Sequence, residues 1–346
     1  MNIGNKEIGN KNPCFIIAEL SANHNGSLEV AIETIRAAKK TGADAIKLQT
    51  YTPDTMTINS DNSHFQITGG TLWDGKTLYD LYGEAYTPWE WHKRLFEVAE
   101  EEGLICFSSP FDITAVDFLE KLNVPAYKIA SFEIQDIPLI EYAASKGKPI
   151  IMSTGIADEA DIKLAVETCR KVGNNEIILL KCTSSYPAPL ELANLNTIPD
   201  LKTKFEVEVG FSDHTYGSLA PTIAIALGAT VIEKHFILHK DIGGPDADFS
   251  LDVNEFTEMV NKVRDTEKLL GKVSYDVPEK VKTNRKFARS LFVVENAKIG
   301  DLITKDNVRS IRPGNGLHPK YYKEILGRKF NENISRGEPL TLKMIE

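Results

Sequence analysis

The sequence has no apolar run of the roughly 18 residues that a membrane span requires. Its opening residues, MNIGNKEIGNKNP, lack the apolar centre of a secretory signal. Together these absences predict a cytoplasmic protein with no membrane partner. Cysteine is scarce: Cys14, Cys106, Cys169 and Cys182 lie far apart and form no CxxC pair. That excludes a disulfide framework and a thiolate-rich zinc cluster, and predicts buried free thiols in a reducing compartment. No glycine-rich fingerprint follows the first apolar run, which argues against a dinucleotide-binding open sheet. No run of lysine and arginine and no aromatic platform is present, so nucleic acid is not an expected partner.

What is present is an ordinary globular composition, with 42% apolar and 26% charged residues in 346. The chain is too long for one typical core, and a large domain followed by a small one is expected. The net charge of −9 is unevenly spread. From Arg285 to the end there are 13 basic and 7 acidic residues, against 27 and 42 before it. A basic tail of this kind suits an anionic substrate or an acidic neighbouring surface.

Eight short, nearly continuous apolar runs punctuate the first 240 residues: 14–20, 45–51, 105–111, 126–131, 149–155, 177–184, 208–214 and 231–236. Runs of this texture read as parallel strands covered on both faces. Between them lie segments of helical period. One is capped by Ser27 and stopped by Gly42, and another is expected to start with Thr87 as cap and Pro88 at its first position. Eight such units predict a (β/α)8 barrel over residues 1–280, with an N-terminal hairpin that could plug its lower end. The last residues, 285–346, change to short strands and tight turns and read as a small separate domain.

Active sites of such barrels form at the C-terminal ends of the strands, and polar residues gather there. Glu19, Lys47, Gln49, Ser108, Ser109, Lys128, Ser131 and Glu133 end the first four runs. Ser153, Thr154, Lys181, Ser184, Tyr186, Ser212, Asp213, His214, Glu233, Lys234 and His235 end the others. A lysine inside an apolar strand is costly to bury unpaired. Several around one mouth, with hydroxyls beside them, predict an anion such as phosphate or carboxylate. His214 and His235 fall on neighbouring strands at matching heights. Two imidazoles without thiolates suit a catalytic divalent ion with open positions. His239 and Asp246, in or near the loop GGPDADFS, are close enough in sequence to assist.

These motifs resemble the sialic acid synthase family: IIAELSANHNGS, IKLQTY, SSPFD, YKIASFE, STG, KCTSSYPAP, GFSDHT, EKHF, GPDADFS and RPGNG occur in family order across nearly the whole chain. The stretch from His64 to His92 is similar to the family's pseudaminic acid synthase branch. The resemblance implies a TIM barrel followed by an antifreeze-protein-like (SAF) domain. It implies metal-dependent condensation of phosphoenolpyruvate with an amino-sugar aldehyde, here a 2,4-diacetamido-2,4,6-trideoxyhexose, to a nine-carbon 2-keto acid. The metal implied is manganese, with cobalt or magnesium as substitutes, on His214 and His235. Lys47, Lys128, Ser131, Ser153 and Ser184 would hold phosphoenolpyruvate, and Glu19 would lie by the reacting carbons. Gln49, Glu133, Tyr186 and Asp246 would lie near the sugar or metal, with Asp246 taken as catalytic beside Glu19 and the two lysines. Arg312 would reach the partner's site in a domain-swapped homodimer. Synthases of N-acetylneuraminate or legionaminate are the neighbouring alternatives. An inactive barrel with a carbohydrate- or ice-binding tail is the alternative of another kind.

Overall fold

The computed structural model describes residues 1–9, 12–68, 70 and 73–346. It divides into two compact units, Met1–Gly271 and Lys272–Glu346. In the first, a short hairpin pairs β1 (Asn2–Ile3) with β2 (Lys6–Glu7). Eight strands follow, one from each apolar run: β3 (Phe15–Glu19), β4 (Ala45–Thr50), β5 (Ile105–Pro110), β6 (Tyr127–Ile129), β7 (Ile150–Ser153), β8 (Ile177–Cys182), β9 (Glu208–Asp213) and β10 (Val231–His235). They close in chain order, β10 pairing with β3, into a parallel barrel.

Alternation along the strands sorts the core into two layers. Phe15, Ile17, Ala45, Phe107, Ala126, Ile151, Ile178, Leu180 and Val231 fill the lower barrel, and Ile3 and Ile8 of the hairpin region pack with them. The hairpin is therefore the bottom plug that its weak apolar alternation suggested. The intervening residues, among them Ile16, Ile46, Leu179 and Ile232, pack against the helices. The lower half is packed solid, so chemistry is left only to the upper ends of the strands.

Local signals explain most helix boundaries. Ser27 accepts the Val30 N–H at the start of the helix Leu28–Thr41, and Gly42 ends it at φ 88°, a left-handed conformation that glycine takes without a Cβ penalty. The expected Thr87 cap does not form. The helix begins at Trp89, with Pro88 in the cap position and no side-chain cap bond. Thr87 instead bonds His24 Nε2 at 3.2 Å, so a tertiary contact has taken the hydroxyl from its local role. In the stretch from His64 to His92, of which residues 69, 71 and 72 lie outside the described residues, Gln66 forms an antiparallel bridge with Thr77. The helix Leu78–Ala85, capped by Thr77, follows.

The second unit pairs β11 (Ser290–Val293) with β12 (Val308–Ile311) around a core of Leu291, Val293, Ile303, Val308, Phe330 and Leu340. Its helices are single turns. Among the described residues, no helix is long and apolar enough to cross a membrane.

Candidate active site

The interior positions above the packed layer are Glu19, Lys47, Gln49, Ser109, Lys128, Ser153, Cys182, Ser212, Glu233 and His235, with His214 just past the end of β9. Lys47 and Lys128 are 3% and 2% exposed, so their charges depend on partners. Lys47 pairs with Glu19 and lies 3.9 Å from Glu233; it also donates to Ser109 Oγ at 3.3 Å. Lys128 lies 3.6 Å from Glu233 and donates to Ser153 Oγ at 2.7 Å. Two ammonium groups are thus matched by two carboxylates in one buried chain.

The carboxylates respond differently. Burial raises Glu19 to about 7, because Lys47 only partly offsets the loss of water and Glu233 repels it. Burial also acts to raise Glu233, but Lys128, Lys47 and the Ser212 hydroxyl at 3.0 Å outweigh it, and its net shift is downward. Burial acts to lower both lysines. It wins at Lys128, whereas at Lys47 the Glu19 and Glu233 carboxylates reverse it. Glu133, on the turn after β6, is raised to about 7 by burial, and its Oε2 is buried without a hydrogen-bond partner.

Beside the lysines is a cradle of hydroxyls. Ser184 donates to Ser131 at 2.8 Å. A Cβ at Gly155 would stand 2.1 Å from Ser184 Oγ and 2.4 Å from Ser131 Oγ, so only glycine lets the backbone approach both. Lys128, Ser131, Ser153 and Ser184 thus gather an ammonium and three hydroxyls around the Gly155 backbone, a set of donors that suits an anion.

The two histidines meet. Their ring centroids are 5.4 Å apart. His214 Nδ1 is engaged by the Thr183 carbonyl at 3.0 Å and by Cys182 Sγ at 3.8 Å. His235 Nδ1 is buried with no hydrogen-bond partner, and burial, reinforced by His214, holds its pKa well below the usual range. An unpartnered, neutral imidazole nitrogen next to a second imidazole is a donor set that fits a divalent ion. Among the described residues, no group of three or more His, Cys, Asp or Glu side chains is gathered for a metal. The donors therefore fit an open, two-histidine site better than a closed structural one. Asp246 stands 3.8 Å from His235 Nδ1 and takes the Ser21 hydroxyl at 2.5 Å. Gln49 links Ser21 at 2.9 Å to Glu19 at 3.3 Å. Tyr186 covers the pair, its ring 4.4 Å from that of His214.

Some expected members are elsewhere. Lys181, Lys234, Asp213 and Ser108 alternate to the outer face of the strands. Lys234 pairs there with Asp213 at 2.5 Å, Lys181 bonds the Cys182 carbonyl at 2.6 Å, and Ser108 bonds the Thr50 hydroxyl, which in turn bonds His92. His239 is exposed at the head of the next turn and adds nothing to the pair. Arg312 is exposed in the second unit, just after β12. Residue-by-residue reading did not single out Gly155, Cys182 or the bridging role of Glu233. Strand parity places Cys182 and Glu233 inside once the packed layer of Ile178, Leu180 and Val231 is known.

A closed (β/α)8 barrel whose mouth holds an anion cradle, paired lysines and two adjacent imidazoles defines a class of enzyme that handles a phosphorylated or carboxylated substrate. The NeuB family model matches residues 34–275, and the SAF domain model matches residues 288–346. The chain belongs to the NeuB family. It is 52% identical to the pseudaminic acid synthase of Campylobacter jejuni, over 98% of both chains. It is 50% identical to that of Helicobacter pylori, over 96% of this chain and 98% of the other. Among solved structures it is similar to the spore coat polysaccharide biosynthesis protein SpsE of Bacillus subtilis, with a TM-score of 0.68 at 34% identity over 100% and 99% of the two chains.

Proposed function

We propose that this chain condenses phosphoenolpyruvate with the open-chain aldehyde of 2,4-diacetamido-2,4,6-trideoxy-β-L-altropyranose and water, giving pseudaminic acid and phosphate. The observation that carries the reading is a lysine-and-hydroxyl cradle beside Glu19 and two imidazoles, in a chain that shares half its residues end to end with pseudaminic acid synthases. In the reaction the enol carbon of phosphoenolpyruvate attacks the aldehyde carbon, whose oxygen gains a proton. Positive charge develops at C2. Water adds there and loses a proton to give a tetrahedral intermediate; the bond from C2 to the phosphate oxygen then breaks as the remaining hydroxyl proton passes to the departing phosphate, leaving the C2 ketone.

Lys128, Ser131, Ser153, Ser184 and Lys47 hold the phosphate and carboxylate of phosphoenolpyruvate. Glu19 faces the reacting carbons, where its carboxylate stabilises the charge at C2 or takes the proton of the entering water. Gln49 holds Glu19 in place. Glu133, Tyr186 and Asp246 contact the sugar. His214 and His235 would hold a divalent cation, manganese foremost, with cobalt or magnesium as substitutes; such an ion would supply Lewis-acid polarisation of the aldehyde oxygen. The four buried free cysteines suit a reducing, cytoplasmic setting.

The substrate is tested by phosphate release with two sugars. The trideoxy sugar is turned over well and N-acetylmannosamine poorly. Equal use of both would defeat the pseudaminate assignment, and no release with any family sugar would favour an inactive barrel.

Arg312 and the basic tail belong, in this proposal, to a domain-swapped homodimer in which each arginine serves the partner's barrel. Glu19→Gln and Arg312→Ala homodimers are each nearly inactive. Unfolded together and refolded in equal amounts, they recover about a quarter of the sites, because half the dimers are mixed and each mixed dimer has one intact site. No recovery would show that Arg312 acts on its own barrel.

A further inference from the structure

A second space lies on the far side of Trp73, whose ring neighbours Tyr186. A cavity of about 530 Å³ is lined by Asn25 after β3, by Trp73, Lys76 and Glu84 after β4, and by Pro245 and Asp248 after β10. Trp73 is half-buried at this cavity. Its indole N–H donates to the Pro245 carbonyl at 3.2 Å, tying two loops together. Its ring lies 6.0 Å from that of Tyr186, which in turn lies 4.4 Å from His214. A line of rings thus runs from the histidines to the outer cavity. The other two tryptophans, which belong to the same stretch of sequence, do not share this position. Trp89 stacks on Phe118 at 4.7 Å and Trp91 meets His24 at 5.5 Å, both in the helix layer.

Length makes the line informative. An extended six-carbon aldehyde spans five carbon–carbon bonds of about 1.5 Å, or roughly 6 Å end to end. The two steps along the rings put Trp73 at most about 10 Å from His214, so a chain of roughly 6 Å held by its carbonyl at the histidines and running along the rings ends about 4 Å short of the indole centroid, which is van der Waals contact. We infer that this cavity is the subsite for the distal end of the sugar, and that Trp73 is the residue that selects a terminal methyl over a terminal hydroxymethyl group. The inference rests on the function proposed above and deepens it. The indole gives C6 an apolar wall and offers no acceptor to a hydroxyl there. The ion pair of Lys76 with Glu84 and the Asn25 side chain, which donates to the Ile242 carbonyl at 2.9 Å, leave the rest of the cavity polar, as an acylamino group requires.

The test compares two sugars that differ only at C6: the 2,4-diacetamido-2,4,6-trideoxy-altrose and its 6-hydroxy counterpart. A hydrophobic pocket rejects an added hydroxyl by at most ~10² in kcat/KM. The wild type should prefer the deoxy sugar within that limit. Trp73→Ala should lower the preference at least about tenfold, mainly by raising KM for the deoxy sugar. KM for phosphoenolpyruvate should stay within about twofold, since Trp73 lies outside the anion cradle. Trp73→Phe keeps an apolar wall without the bond to Pro245 and should retain most of the preference. It also serves as the decisive variant if the alanine form is unstable, and a preference lost in Trp73→Phe would overturn the role of the wall. A wild type that ignores the deoxy sugar would refute the proposed function. A wild type that prefers it, with the ratio and sugar KM unchanged in Trp73→Ala, would refute this inference alone.

Discussion

Replacing His214 or His235 by alanine should abolish phosphate release and, if the proposed two-histidine site holds a divalent ion, the binding of that ion, while the barrel stays folded. The expected loss in metal affinity exceeds the ~10–100-fold that an outer partner of a metal ligand typically costs, because each imidazole would be half of the proposed donor set. Neither ring is needed for packing of the lower barrel, which is complete beneath them. His235 Nδ1, buried and unpartnered, is the most direct sign that the site expects another group. Chelation of the wild type with EDTA should give the same loss, reversed by manganese, cobalt or magnesium. Metal content by atomic emission, phosphate release and far-ultraviolet circular dichroism, measured on the same samples, check all three parts. Full turnover by a metal-free variant would contradict the assignment.

Glu19→Gln keeps the size of the side chain and removes its charge. A positioned acid–base group contributes ~10²–10⁴ in rate, and kcat should fall within that range with little change in affinity for phosphoenolpyruvate. The pH profile gives a sharper reading. Burial lifts Glu19 to about 7, so its carboxylate is consumed as pH falls through that value, and wild-type turnover should drop on the acid side. That limb should be absent from the residual activity of the glutamine variant. A loss below about threefold would make Glu19 a structural partner of Lys47 rather than a participant.

Much of this site was legible before any coordinates because the barrel places strand ends together whatever the loops do. Near-continuous apolar runs locate the strands, so Glu19, Lys47, Lys128, Ser153 and His235 share a mouth once the fold is named. Parity was harder. Lys181 and Lys234 sit in runs apolar on both faces, and nothing in such a run tells inside from outside. Only the packed layer of Ile178, Leu180 and Val231 turns Cys182 and Glu233 inward and those lysines outward. Long-range contacts were harder still. The hydroxyl of Thr87 is claimed by His24, from a turn more than sixty residues away. Three tryptophans close in sequence part company: the helix that begins at Trp89 carries Trp89 and Trp91 into packing, while Trp73, before the helix Leu78–Ala85, lines the outer cavity. Gly155 ends the STG motif, but its purpose is visible only from the two hydroxyls that converge on it.

Mass spectrometry of the product made from phosphoenolpyruvate labelled with carbon-13 at all pyruvyl positions tests the central claim most directly. A nine-carbon acid of the mass of pseudaminic acid is expected, carrying all three labelled carbons, with one phosphate released for each molecule formed. Phosphate released with only labelled pyruvate in solution, and no label joined to the sugar, would contradict it.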